Sequence, residues 1–302
     1  MITFSLIDLI ALGILLFFVV TLFFFSRSGN DLAPDNPKIV LARRRQAAKA
    51  SAESGERDAP RRPLAVCAGD SITRGSVSVD YVAMLAARMP DWEFANAGVN
   101  AELAYNLAER MGDIVALQPD AVTILIGTND VNATFGFQAA IGYMAAKRLP
   151  ERPSDYFFRE NLVRIVRTLK RETKARIALF SIPPIGEEPG HYAYLRTEEY
   201  SRLIQGIGKE EGVEYLPLRE RICSYIESLP VPANPPLGFR SFRSAQLRAG
   251  RMQRYLGKSL DEISAANRFH ILVDGIHLNT HGAAIAAVLA EDFLRASDHG
   301  AG

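Results

Sequence analysis

Four short polar clusters in the chain contain the residue types that acyl-transfer chemistry needs. They are Gly-Asp-Ser at 69–71, Asn-Ala-Gly at 96–98, Gly-Thr-Asn-Asp at 127–130 and Asp-Gly-Ile-His at 274–277. A serine hydroxyl becomes a nucleophile when a histidine removes its proton and a carboxylate orients that histidine. Ser71, His277 and Asp274 supply these three groups and predict a catalytic triad. Because Asp274 and His277 are three residues apart, one helical turn would place them on the same side.

The same clusters supply groups that could hold the negative charge of a tetrahedral intermediate. The backbone N–H groups of Ser71 and Gly98 and the side-chain amide of Asn129 are the candidate donors of this oxyanion hole. Asp70 and Asp130 are expected to shape their loops by accepting backbone hydrogen bonds. Each of these residues alone is typical of a turn or a helix cap. The functional interpretation therefore depends on their occurrence together and in order.

The elements that must position these clusters begin at residue 64, where short apolar runs alternate with amphipathic stretches. Strands are predicted at 64–69, 92–98, 120–127, 175–182 and 213–218. Helices are predicted at 80–89, 102–118, 155–172, 198–212 and 281–297. This alternation predicts an α/β domain with a parallel sheet covered by helices on both faces. In such a sheet the first three clusters meet at the carboxyl ends of the strands, where ligands bind.

Two insertions interrupt the pattern, at 135–153 and at 230–269. The second is strongly basic, with Arg240, Arg243, Arg248, Arg251, Arg254, Lys258 and Arg268 against Asp261 and Glu262. Long connections within a domain often form lids or binding loops. A solvated helical decoration explains this composition equally well.

The N-terminal residues predict a single-pass membrane anchor over 1–26. The run is long enough to cross a bilayer, and it lacks the positive start and the small-residue cleavage site of a signal peptide. A basic segment at 27–63 is interpreted as a linker to a domain at 64–302; anionic lipid headgroups are an alternative partner for it. Its positive charge favours a cytoplasmic catalytic domain. An extracytoplasmic location stays open, because the rule applies best to short loops.

Composition excludes several other classes of function. The chain has 302 residues and a net charge of +1, which gives no indication of nucleic-acid binding. Its two cysteines, Cys67 and Cys223, have no spacing typical of a redox pair or a zinc site. His281 continues the helical spacing of Asp274 and His277, but no further ligands accompany it, so no metal site is predicted. The G-x-S-x-G motif of α/β-hydrolases is absent.

Taken in order, the four clusters resemble the blocks of the SGNH (GDSL-type) hydrolase family. "AGDSITRG" resembles the first block, with Ser71 as nucleophile, and "NAGVNAE" the second, with Gly98 as oxyanion donor. "GTND" resembles the third, with Asn129 as a further donor, and "DGIHLN" is similar to the block that supplies Asp274 and His277. In many members a second glycine follows the first in block two, where this chain has "VNAE", and this departure questions the shape of that loop.

The resemblance implies a flavodoxin-like three-layer α/β/α sandwich with a central parallel sheet of about five strands, here preceded by the transmembrane helix. It also implies hydrolysis of small-molecule, lipid or sugar esters without a cofactor. The sequence thus predicts a membrane-anchored serine esterase. Two alternatives remain: an acyltransferase that uses the same triad, and a membrane-tethered binding or scaffolding protein on an inactive hydrolase fold.

Overall fold

The apolar runs form a five-stranded sheet in the computed structural model, which describes residues 32–54, 61–230 and 239–296. The strands are β1 (Leu64–Gly69), β2 (Glu93–Gly98), β3 (Ala121–Leu125), β4 (Arg176–Phe180) and β5 (Glu214–Leu216). They pair in the order β2-β1-β3-β4-β5, and each pairing is parallel. Every residue of β1 and β3 is buried, as expected for strands covered on both faces. The predicted parallel sheet is confirmed.

Helices flank this sheet in two groups. The first helices in chain order are α1 (Pro37–Ser54), α2 (Ser71–Arg74), α3 (Tyr81–Arg88), α4 (Ala104–Glu109), α5 (Met111–Val115), α6 (Thr128–Ala133) and α7 (Phe137–Lys147). They are followed by α8 (Asp155–Glu172), α9 (Tyr192–Glu211), α10 (Leu218–Ser228), α11 (Phe239–Leu256), α12 (Leu260–Ala266) and α13 (Thr280–Arg295). In one group α4, α5 and α9 pack on α8, and in the other α3 and α10 pack on α13. This arrangement is consistent with an α/β/α sandwich.

The stretch predicted as one helix over 102–118 is divided into α4 and α5 at Arg110. The backbone of Arg110 leaves the helical region there, at φ −109° and ψ 16°. Its guanidinium donates to the carbonyl of Ala97 at 2.7 Å, close to the end of β2. The break accompanies a contact with the sheet that helical periodicity does not reveal.

Part of the segment interpreted as a linker packs on the domain. Ala33 and Val40 are each 2% exposed, and α1 lies against β2. The N–H of Asn96 donates to the carbonyl of Asp35 at 3.1 Å, and Arg44 pairs with Glu93. The basic composition of this segment conceals the few apolar residues that attach it.

The predicted membrane anchor over residues 1–26 lies outside the residues that the structure describes. Among the helices that it does describe, none combines the length and the apolar character needed to cross a bilayer.

Close packing surrounds the carboxyl ends of β1 and β2. Gly69 and Gly98 are paired in register, and α2 lies directly over them. A Cβ atom on Gly98 would come within 2.2 Å of the backbone nitrogen of Arg74, and one on Gly69 within 2.3 Å of the carbonyl oxygen of Leu125. Glycine is therefore required at both strand ends because neighbouring backbone occupies the space.

We expect Gly98→Ala to lower the free energy of unfolding by about 1–3 kcal/mol, because the new methyl group collides with backbone. Gly206→Ala is the matched control, since Gly206 lies within α9 and a Cβ there meets nothing within 4 Å. That change should raise stability by about 0.5–1 kcal/mol. Urea unfolding of both variants checks the prediction, and wild-type stability of Gly98→Ala would contradict it.

Candidate active site

Three of the polar clusters leave the sheet at one edge. Gly69 at the end of β1 is in register with Gly98 at the end of β2 and with Leu125 at the end of β3. Ser71 and Asn129 lie shortly after the ends of β1 and β3 and occupy the first turns of α2 and α6. The sheet thus brings together residues that are far apart in sequence.

Ser71 is the first residue of α2, and its side chain points to the last polar cluster. The Asp70 side chain caps this short helix by accepting the N–H of Ile72 at 2.9 Å. Ser71 Oγ lies 2.9 Å from His277 Nε2. The N–H of Ser71 has no hydrogen-bond partner within the described part of the chain.

Asp274 and His277 lie in a tight turn before α13 and not on a helix. Gly275 supports this turn with φ of +94°. Asp274 Oδ1 accepts the N–H groups of Ile276 and His277 at 3.1 and 3.0 Å, and Oδ2 lies 2.8 Å from His277 Nδ1. With the Nδ1 proton facing Asp274, Nε2 is the acceptor for the Ser71 hydroxyl.

The pair has the electrostatics of a base and its orienting carboxylate. Burial by itself would raise the pKa of Asp274, but the charge and hydrogen bonds of His277 outweigh it and leave the pKa below its ordinary value. Burial by itself would lower the pKa of His277, but the Asp274 carboxylate outweighs it and raises the pKa above 6.5. The pair therefore stabilises an imidazolium, the form that His277 takes after accepting a proton.

Asp70 and Asp130 are deeply buried and accept backbone hydrogen bonds. Asp130 accepts the N–H of Ala104 at 3.1 Å, in addition to the bond from Ile72 to Asp70. Burial raises the pKa of Asp70 to about 7 and that of Asp130 to about 8. Through these backbone hydrogen bonds, both carboxyl groups hold the loops around them in shape.

The amide of Asn129 is held on both sides. Its Nδ2 donates to Asp70 Oδ2 at 3.2 Å and to the carbonyl of Glu102 at 3.0 Å. Its Oδ1 accepts the hydroxyl of Tyr143 at 2.8 Å. Because Tyr143 occupies the oxygen, the NH₂ group faces the loop that carries Ser71.

The N–H of Gly98, predicted as an oxyanion donor, already has a partner. It donates to Asn96 Oδ1 at 3.0 Å, and Asn96 Nδ2 in turn donates to the carbonyl of Thr73 at 2.8 Å. A substrate oxyanion would have to displace Asn96 to use this group. Three residues further on, the N–H of Ala101 has no hydrogen-bond partner among the described residues.

Ala101 also answers the question raised by the missing second glycine. Its φ of +58° is in the left-handed region that favours glycine. An alanine there costs about 1–2 kcal/mol, yet the loop keeps this conformation. The sequence departs from the family pattern at this position without removing the tight turn.

A polar network behind this loop was not predicted from the sequence. Arg110 Nε donates to Glu102 Oε2 at 2.8 Å, and Lys147 Nζ donates to the carbonyl of Asn100 at 2.7 Å. Together with the bond from Arg110 to Ala97, these contacts attach α5 and α7 to the loop between β2 and α4. Glu102 was part of the quoted motif "NAGVNAE", but no spacing identified its partners.

Helices from both insertions reach the site. Tyr143 and Lys147 lie on α7, which the first insertion contributes. From the second, Gln253 of α11 donates to the carbonyl of Ser76 at 3.2 Å, and Ala249 packs in a small cluster with Val273. Val273 immediately precedes Asp274, so α11 lies beside the turn that holds His277.

Comparison with solved structures identifies the fold. The acetyl xylan esterase AlAXEase aligns with a TM-score of 0.52 and 17% sequence identity, over 76% of this chain and 99% of its own. Axe2, an acetylxylan esterase from Geobacillus stearothermophilus, aligns with a TM-score of 0.53 and 19% identity, over 77% and 93%. No curated protein matches the sequence.

Residues 67–285 match the GDSL-like lipase/acylhydrolase family. This range covers most of the chain and includes Ser71, Asn129, Asp274 and His277. The polar clusters that meet at the sheet edge are thus those from which the family resemblance was inferred. The chain belongs to the GDSL-like lipase/acylhydrolase family and is a serine hydrolase that acts on ester bonds.

Proposed function

We propose that this hydrolase cleaves carboxylic esters with Ser71 as nucleophile, His277 as general base and acid, and Asp274 as the orienting carboxylate. The observation that carries the proposal is the continuous hydrogen-bond chain from Ser71 Oγ to His277 Nε2 at 2.9 Å and from His277 Nδ1 to Asp274 at 2.8 Å. Both distances permit proton transfer without rearrangement.

In the acylation step Ser71 Oγ attacks the ester carbonyl carbon while its proton moves to His277 Nε2. The imidazolium, stabilised by Asp274, then donates this proton to the departing alcohol, and an acyl-serine remains. Water attacks the acyl-serine with His277 again as base, which releases the carboxylic acid and restores Ser71. At the end of the cycle His277 is neutral again, and the enzyme has its initial protonation state.

The oxyanion of each tetrahedral intermediate needs fixed donors. The N–H of Ser71 is proposed to supply one of them. The Nδ2 group of Asn129, whose orientation Tyr143 fixes, is proposed to supply another by exchanging its present bond to Asp70 Oδ2 for one to the oxyanion. Since the N–H of Gly98 is bonded to Asn96, we assign the remaining backbone donor to Ala101, whose N–H has no hydrogen-bond partner among the described residues.

For the substrate we propose small acyl esters, beginning with acetyl groups on sugar hydroxyls. Two solved structures that share the fold, AlAXEase and Axe2, are acetyl xylan esterases, and this likeness is what supports the proposal. Transfer of the acyl group to an acceptor other than water would use the same acyl-serine. An inactive binding protein would bind such esters without cleaving them.

Ser71→Ala should lower esterase activity by at least about 10³-fold, because it removes the nucleophile and leaves only binding and oxyanion stabilisation. The full chain in mild detergent would be assayed on p-nitrophenyl esters of increasing acyl length and on acetylated sugars. Equal turnover by wild type and variant would contradict the mechanism. Turnover that requires an added alcohol would favour the acyltransferase, and absence of turnover on every ester would favour the binding protein.

Activity should rise with pH as His277 loses its proton, because only the neutral imidazole accepts a proton from Ser71. The raised pKa places the midpoint of kcat/KM above the ordinary histidine value of 6.5. Asp274→Asn should lower kcat by about 10⁴-fold and shift the His277 titration, followed by NMR, to lower pH.

The Asp70→Asn variant is the control for this assignment, since burial raises the pKa of Asp70 to about 7 and this carboxyl could also titrate near neutral pH. If the rise of kcat/KM with pH persists in Asp70→Asn, the rise is due to His277. Loss of the rise in that variant, with the His277 titration unchanged, would assign it to Asp70 instead.

We also propose that residues 1–26 anchor the enzyme in a membrane, with the domain on the cytoplasmic side as the flanking basic residues favour. After cell lysis the full chain should sediment with membranes and be released by detergent but not by high salt. A version lacking residues 1–31 should remain in the supernatant with Ser71-dependent activity. Full chain in the supernatant would contradict the anchor, and release by salt alone would indicate electrostatic attachment.

A further inference from the structure

The loop between β4 and α9 contains a buried carboxylate that none of the preceding steps uses. Glu187 is only 3% exposed. Its Oε2 accepts the N–H of His270 at 2.8 Å, and its Oε1 accepts the N–H groups of Ile271 and Leu272 at 2.7 Å each. One side chain thus binds three consecutive backbone donors, from a segment more than eighty residues away in sequence.

The bound segment leads directly into the turn that carries the base. Leu272 is two residues before Asp274, and its neighbour Val273 donates to the carbonyl of His277 at 2.7 Å. The N–H of Gly186 donates to the carbonyl of Gly275 at 2.8 Å, between Asp274 and His277. Residues 186 and 187 therefore hold the turn at two points, one before Asp274 and one after it.

The chemistry of this contact makes it specific to a carboxylate. An apolar side chain would deprive the buried N–H groups of Ile271 and Leu272 of this acceptor, each at a cost of about 1–3 kcal/mol. A glutamine would turn an NH₂ group towards at least one of these donors. A carboxylate has two oxygens that only accept, so it can take two N–H groups on Oε1 and the third on Oε2.

We propose that Glu187 is a positioning residue that holds the Asp274–His277 turn at the correct distance from Ser71. The inference rests on the proposed function of that triad. Glu187 touches neither the nucleophile nor the base through its side chain, so it acts only through the backbone of residues 270–272. Loss of its carboxylate should let the turn shift and lengthen the contact between His277 Nε2 and Ser71 Oγ.

A misplacement of about 1 Å at a catalytic group can cost about 10²-fold in rate. We therefore expect Glu187→Gln to lower kcat by about 10- to 100-fold and to leave KM within about 2-fold, since the substrate contacts are unchanged. Glu187→Asp keeps the charge on a shorter side chain and should recover part of the loss.

The matched control is Glu188→Gln, the same change one position further along. The side chain of Glu188 makes no hydrogen bond within the described part of the chain, and its Oε2 is buried without a partner. The kcat of Glu188→Gln should stay within about 2-fold of the wild-type value. All variants would be made in the full chain and compared in thermal unfolding, so that loss of fold is separated from loss of rate.

The first readout is the rate at which a fluorophosphonate labels Ser71, with fluoride as the leaving group, because this step needs the triad but not the natural ester. The second is the far-downfield proton resonance of His277 Nδ1–H, which reports the hydrogen bond to Asp274. Wild type that is not labelled would refute the proposed function itself. The positioning role is supported if the wild type is labelled, and if Glu187→Gln is labelled more slowly and shows a weakened Nδ1–H resonance.

Labelling of folded Glu187→Gln at the wild-type rate would overturn the inference while leaving the proposed function intact. If Glu187→Gln does not fold, Glu187→Asp is read in the same way: slower labelling in a folded protein supports the role, and the wild-type rate overturns it. Equal slowing in Glu188→Gln would also overturn it, because the effect would then belong to the loop and not to the carboxylate.

Discussion

Buried carboxylates that accept backbone N–H groups close the loops at the carboxyl edge of the sheet. They are Asp70, Asp130, Glu187 and Asp274. A buried polar or charged group is tolerated only where it is paired or hydrogen-bonded, so each of these carboxyl groups requires its loop to remain in place. The loops in turn need the carboxylates, because these side chains accept the N–H groups of the loop backbone. The positions of Ser71 and His277 follow from this mutual dependence more than from the helices on which the loops end.

The same type of side chain acquires different proton affinities at this edge. Asp274 faces His277, and the resulting attraction overcomes burial and keeps its pKa low. Asp70 and Asp130 have no such cationic partner in direct contact, so burial dominates and their pKa values rise to about 7 and 8. Neighbouring titratable groups whose pKa values are driven apart are typical of sites that move protons. Among these three aspartates, the one whose pKa is lowered is Asp274, which is in contact with His277.

Sequence reasoning could predict the features that short local patterns record. The alternation of apolar runs and amphipathic stretches predicted the parallel sheet, and the four clusters indicated which residues meet at its edge. It could not predict the contacts of Glu187, Arg110 or Tyr143, because each depends on a partner brought near only by the fold. It also assigned the N–H of Gly98 to the oxyanion, since a motif does not show that Asn96 competes for it. The docking of α1 was hidden by the basic residues around it.

This docking limits how far the enzyme could reach if residues 1–26 lie in a bilayer. The chain is attached to the domain from Ala33 onward, so only residues 27–32 separate it from residue 26. The seven links from residue 26 to Ala33 span at most about 25 Å when fully extended. That distance is shorter than the bilayer is thick. The catalytic edge would then stay within one domain diameter of the lipid surface. Esters would have to be embedded in that surface or diffuse to it, and distant polymers would be out of range.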